Sequence, residues 1–180
     1  MHYTIISKTD VTDELLPLEE VMEYLRVYDY QEEQLLNVYR KAAINFAETY
    51  MNRVFGYVEV IATFDSFKQE LYLPLGLVAS VHEVAAYRND ELISISSYRH
   101  NAVSGRLRFT KDYSDCTEFT VRYSVAYPVE VIPQAIKIGM LKLIATWYEN
   151  REDISNGVSI SEVPNNHRYC FDMYRLKPMG

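Results

Sequence analysis

The side chains best suited to chemistry in this sequence are few and scattered. His167 and Cys170 stand at i and i+3, a spacing that puts an imidazole and a thiol on one helical face, where they could begin a metal site. Zinc needs three or four such ligands. The remaining histidines (His2, His82 and His100) and Cys116 lie far off in sequence. Asp112, Asp115 and Glu118 surround a turn and offer oxygen ligands, but calcium loops use a denser set and a glycine at the sharp bend. A solvated hairpin end is the expectation. Glu19, Glu20, Glu23, Glu32 and Glu33 crowd the N-terminal region. They read as a solvated helical face with favourable dipole placement, not as an acid–base pair, which needs two groups converging in space. None of G-x-x-x-x-G-K, G-x-G-x-x-G, G-x-S-x-G or H-E-x-x-H occurs. The expectation is a chain without catalytic residues, cofactor or metal.

A chain of 180 residues, 48% hydrophobic and 24% charged, has the composition of one globular domain with a core of its own. Six glycines and six prolines leave little room for long flexible linkers. The net charge of −7 argues against sequence-specific DNA binding, which needs a basic footprint. Arg40, Lys41 and Arg53, with Lys137 and Lys142, are too sparse for a nucleic-acid stripe and read mostly as solvated helix positions. The N-terminus lacks a basic, then apolar, leader pattern, no stretch approaches a membrane span, and two cysteines suit reduced thiols in a cytoplasm. Tyrosine is over-represented, with 16 Tyr against 7 Phe and 1 Trp. Two readings fit: amphipathic rings at protein interfaces, or fillers of β-sheet positions.

The elements that must position these residues follow from periodicity. Residues 1–16 show no clear period and are expected as an extended arm. Pro17 opens a first short helix with Leu18, Val21, Met22 and Leu25 on one face. Asp29 and Glu32 form a capping-box-like start for a longer second helix. Its stripe is Leu35, Tyr39, Ala42, Phe46 and Tyr50, and it is expected to run to about Val54, with Gly56 as its stop. From 57 to 127 the period changes to two. Val58, Val60, Ala62 and Phe64 alternate, as do Phe119, Val121, Tyr123, Val125 and Tyr127. Strands are also expected over 70–73, 80–87, 91–95 and 106–110, with turns at Arg88-Asn89-Asp90 and Ser104-Gly105.

A third helix opens at Pro133 and runs to about Arg151. Ile136, Met140, Leu143 and Trp147 make one apolar stripe; Ile138, Leu141, Ala145 and Tyr148 make another. A helix apolar on two faces needs two partners: two parts of its own core, or its core and a neighbouring subunit. For Trp147 the expectation is core packing. Residues 152–166 are polar and read as a mobile loop. Tyr169, Met173 and Leu176 then suggest a last short helix. The fold class is α+β: an N-terminal helix pair and a long C-terminal helix packed with a small, largely antiparallel β region, plus a C-terminal tail. The division is an arm over 1–16, a core domain over 17–151, and a polar loop with a docking tail over 152–180.

Three stretches in this order carry a resemblance. The first is Leu18 to Val27 (LEEVMEYLRV), followed by Asp29 and a long helix bearing Ala42-Ala43. The second is Val131-Ile132-Pro133-Gln134-Ala135-Ile136-Lys137, leading to Ala145-Thr146-Trp147-Tyr148-Glu149-Asn150-Arg151-Glu152. The third is Val163-Pro164 and Met173-Tyr174-Arg175. Over roughly residues 15–176 the chain resembles the head–tail connector (adaptor, or head-completion) proteins of tailed bacteriophages. It departs from them at Asn165-Asn166-His167-Arg168, where members often carry a more apolar last helix.

The resemblance implies a virion neck protein, made in the host cytoplasm, that catalyses nothing. It would form a twelve-subunit ring below the portal protein, extend the channel for double-stranded DNA without reading its sequence, and offer a platform to a stopper or tail-completion protein. No membrane is involved. A closed ring needs two different complementary surfaces per subunit. The subunit interface is expected at Ile138, Leu141, Ala145, Tyr148 and Arg151, and partner docking at Tyr169, Met173, Tyr174 and Arg175. The alternatives are a tail-completion or other neck protein, and a small DNA-binding regulator.

Overall fold

The structure is a computed structural model that describes residues 1–150 and 166–176. It is α+β, and it divides into two compact units. A sheet unit is built from Met1–Thr9, Asn52–Pro128 and Leu176–Gly180, and a helical unit from Asp10–Met51 and Val129–Arg175.

In the sheet unit the alternation at residues 58–64 and 119–127 produces two long strands, β2 (Gly56–Ser66) and β8 (Thr117–Tyr127). Their antiparallel register sets Val58 opposite Val125, Val60 opposite Tyr123, Ala62 opposite Val121 and Phe64 opposite Phe119. With period two, these pairs share one face, and all of them are buried. β4 (Val78–Arg88) flanks β8 and carries three register shifts, so its burial does not alternate. β5 (Glu91–Ser94) returns from β4. The two residues between them, Asn89 and Asp90, have φ of 50° and 63°, as a tight right-twisting hairpin turn requires.

The first sixteen residues, expected as an extended arm, are extended only in their first half and are built into the two units. His2–Lys8 is strand β1, paired antiparallel to β2 at the edge of a five-stranded sheet of order β1-β2-β8-β4-β5. The pattern was hidden because every residue of β1 is exposed and a register shift between Ile5 and Ser7 breaks the alternation.

A second, three-stranded sheet has the order β3 (Glu70–Tyr72), β7 (Arg106–Phe109), β6 (Tyr98–Asn101). The sequence does not announce β6, which is short and polar. Gly105 precedes β7 with φ 64°; a Cβ there would stand 2.9 Å from the Leu73 carbonyl oxygen. Phe67, Phe109, Tyr113 and Phe119 form an aromatic cluster, with Phe109 and Phe119 centroids 5.5 Å apart.

In the helical unit α1 (Thr12–Leu15) follows Asp10, whose carboxylate accepts from the Thr12 amide at 2.9 Å. The Thr12 hydrogen bonds hold the Asp10 carboxyl below its ordinary value. α2 (Leu18–Leu25) starts after Pro17 and ends at Arg26 in the left-handed region. Asp29 caps a 3-10 turn, Tyr30–Glu32, by accepting from the Gln31 amide at 2.9 Å, and α3 (Glu33–Met51) continues from it. α3 stops at Met51 because Asn52 takes φ 54°. The expected stop, Gly56, instead opens β2. The expected stripe from Leu35 to Tyr50 is only half-buried; the deep face lies one residue on, at Leu36, Arg40, Ala43, Ile44, Ala47 and Met51. α4 (Gln134–Glu149) follows Pro133, and α5 (Asn166–Asp172) packs on it.

Candidate interaction surface

The chemistry-bearing residues are occupied structurally. His167 lies on α5 with its ring edge-on to Phe46, centroids 5.6 Å apart, and burial pushes its pKa down. No group of three metal-ligating side chains forms among the described residues. Asp115 pairs with Arg88, Oδ2 to Nε 2.7 Å, and Asp112 accepts from the Ser114 amide at 2.9 Å, so this loop holds itself.

Arg40, expected on a solvated face, is 2% exposed at the centre of the helical unit. Its Nε donates to the Leu16 carbonyl at 2.6 Å, and Nη2 donates to the Thr12 carbonyl at 3.2 Å and to Asp13 at 2.6 Å. Nη1 donates to Asn37 at 2.5 Å. The Thr12 carbonyl of α1 already accepts from the Leu16 amide at 2.9 Å, and the guanidinium fork adds a second donor to it while also reaching the Leu16 carbonyl just past the helix.

The expected interface stripe on α4 divides. Ile136, Met140 and Leu143 face the core, and Trp147 is half-buried with its ring 6.1 Å from that of Tyr39. Of the second stripe, Leu141 is also buried at 6% exposure. Ala145 and Tyr148 are half-buried, and the Tyr148 hydroxyl donates to Glu32. Ile138 is exposed. Arg151, together with the polar stretch beyond it, lies outside the described residues.

In the tail, the residue that anchors α5 is Phe171, fully buried, and not Tyr169 or Met173, which are 74% and 82% exposed. Gly139 makes this approach possible, since a Cβ there would stand 2.6 Å from the Phe171 ring. Arg175 lies over the Tyr50 ring at 5.1 Å. The Tyr50 hydroxyl donates to Asp172 at 2.6 Å, which raises the Tyr50 pKa. Tyr174 is half-buried. The expected docking residues thus include two large exposed side chains, Tyr169 on a well-anchored helix and Met173 in the turn that follows it.

Two further surfaces come into view only with the fold. On α2, Glu20 pairs with Lys137 at 2.5 Å, and in the turn after it Glu32 is engaged by Tyr148. Glu19, Glu23 and Asp29 remain exposed, beside Tyr24, Tyr28 and Tyr30 at 45%, 81% and 67% exposure. On the small sheet, Arg108 lies directly opposite Arg99 on β6 and Glu70 on β3, and Arg106 lies opposite Asn101 and Tyr72. Glu70 reaches Arg106 at 3.6 Å and Arg108 at 3.7 Å. Arg99 has no ion pair among the described residues. A cleft of about 320 Å³ opens between Arg99 and Arg108, bounded by Gln69 and Thr110.

No protein-family model matches the sequence, and no curated protein matches it. Solved structures do match. A chain from the neck of an empty GTA particle, computed with C6 symmetry, superposes with a TM-score of 0.72 at 17% identity, over 100% of this chain and 98% of that one. A chain from the virion of a native gene transfer agent (GTA) particle gives 0.71 at 16% identity, over 100% and 98%. One from the neck of a native GTA particle computed with C12 symmetry gives 0.67 at 16% identity, over 98% of each chain. At such identities the likeness is one of fold, and it runs through both units from end to end.

Proposed function

We propose that the protein is a structural component of the neck of a tailed-phage-like particle: a head–tail connector that forms a ring below the portal. The observation that carries this reading is the end-to-end likeness to chains of GTA necks and a GTA virion, at TM-scores of 0.67 to 0.72. It coincides with the ordered sequence resemblance, whose most specific stretch ends in Trp147-Tyr148-Glu149-Asn150-Arg151. Those neck structures were computed with C6 and C12 symmetry, which supports a cyclic assembly, twelve subunits being the form expected on a portal.

In this role the protein works by geometry and binds no cofactor. Ring closure extends the passage for packaged double-stranded DNA, the upper surface meets the portal, and the lower surface receives a stopper or tail-completion protein. On α4 the accessible part of the outer stripe, Ile138 with the half-buried Ala145 and Tyr148, contributes to the subunit interface, as does Arg151. Leu141 backs that stripe from inside the chain. Tyr169, Met173, Tyr174 and Arg175 form the docking patch for the next protein. The protein is made in the host cytoplasm and ends in the virion neck.

Electron microscopy of the purified chain, alone and mixed with portal particles, tests the ring. Rings alone or on the portal are expected; a chain that stays monomeric and never binds portals sinks the reading. Truncating the tail would strip Phe171 from the core. Y169A/M173A therefore probes docking better: it should leave melting unchanged and abolish attachment of the tail-side protein.

A further inference from the structure

The arginine face of the small sheet and the acidic, tyrosine-bearing surface at α2 share an unusual property: each sets like charges side by side. Arg99 and Arg108 are directly opposed across β6 and β7, an arrangement that destabilises a strand pair. The carboxylate that offsets this face, Glu70, sits on the far side of β7 and reaches Arg106 and Arg108 but not Arg99. On α2, Glu19 and Glu23 stand at i and i+4, which also repels. Glu23 lies in the last turn, where the helix dipole disfavours an anion. Neither glutamate has an ion pair among the described residues, and Tyr24, Tyr28 and Tyr30, near them in sequence, are all exposed.

The two surfaces also belong to units of different charge. The sheet unit holds nine Asp and Glu against ten Lys and Arg, and the helical unit sixteen against eight. We propose that the Arg99–Arg106–Arg108 face of one subunit docks on the Glu19–Glu23–Asp29 surface, with its tyrosines, of a second copy of this chain. The contact is heterologous, two different patches meeting head to tail, which is the type of contact that generates a ring. Arginine and tyrosine are the side chains most enriched at strong contact points, and a guanidinium fork matches a carboxylate in two-point geometry. This inference rests on the ring reading and names the surfaces that close the ring.

A charge-swap experiment tests it, using rings of the full chain, alone or on portal particles, whichever carries wild-type assembly. R99E/R106E and E19K/E23K should each raise the concentration for half-assembly by about tenfold or more, and added salt should weaken wild-type assembly. An equimolar mixture of the two variants should reassemble, because alternating subunits restore opposite charges at every contact. That rescue also shows that both variants fold; should either misfold, R99Q/R106Q and E19Q/E23Q test the weakening alone, and each should still raise the concentration for half-assembly, by a smaller factor. If either variant assembles as wild type does, the contact is wrong and the ring reading stands. Loss in both without rescue overturns the contact too. So does an arginine variant that still forms rings but no longer retains duplex DNA, since the face then serves a polyanion. Wild-type chain that forms no ring in either setting removes the reading beneath the inference.

Discussion

The sheet unit and the helical unit solve the same problem, satisfying buried backbone groups, in different ways. The eleven-residue strands β2 and β8 pair along almost their whole length, and the N–H and C=O groups that face each other find partners in the ladder. The core between the sheets can then be almost entirely apolar; the Tyr123 hydroxyl reaches its margin and donates to the Pro74 carbonyl at 3.1 Å. Burial raises the pKa of that phenol. The helical unit includes α1, a single turn, and α2, about two turns, and such pieces leave most of their terminal groups without intrahelical partners. There the core contains Arg40, whose four hydrogen bonds tie α1, the residue after it and α3. A regular ladder permits a dry core, whereas short helices require a polar side chain inside it.

Substitutions can break or sharpen this contrast. The largest effect is expected from F119A, which empties the aromatic cluster of the sheet unit and should cost ~3–5 kcal/mol in urea unfolding. Amide exchange should rise first in β2, β4 and β8; a loss below ~1 kcal/mol would mean that the cluster packs loosely. R40M keeps volume but strands the Leu16 carbonyl, and should cost about 3 kcal/mol by the same measurement. R40K should recover little of it, since an ammonium cannot span carbonyls and carboxylate in one fork. A near-neutral R40M would remove the contrast altogether.

G139A should cost roughly 1–3 kcal/mol by forcing α5 off α4. The readout is faster labelling of Cys170 by a thiol reagent, at a rate that Cys116, buried in the sheet unit, does not share. The smallest effect concerns pH. Burial, then Arg168, lowers the His167 pKa, so the folded chain favours neutral imidazole. That contribution is fully present above about pH 6.5 and is lost as pH falls through the depressed folded value. The packing of α5, followed by proteolysis at Arg168, should loosen on acidification, and H167F should flatten the profile.

Periodicity carried the reading furthest where burial is one-sided and contacts are local. The inner faces of β2 and β8, the start of α4 after Pro133, and the Ile136–Met140–Leu143 stripe all follow from spacing of apolar residues. Spacing misled where an element lies at an edge or where the core is not apolar. β1 is exposed on both faces and bulged, so it leaves no alternation to read. Arg40 looks solvated because charge implies water unless a distant partner is known, and its partners in α1 are on another element. The second stripe of α4 was expected at the subunit interface as a whole, yet within it Leu141 is buried and Ile138 is exposed.

By itself, then, the sequence determined the α+β class, the inward face of the long strands, the inner stripe of α4 and the ordered landmarks from Leu18 to Arg175. These depend on residues a few positions apart, whose relation the backbone period sets. Only the tertiary structure decided that Arg40 lies inside, that Phe171 and not Tyr169 anchors α5, and that Arg99 faces Arg108 across a pair of short strands. Those facts depend on which elements meet and in what register, and register is chosen by the packing of the whole unit.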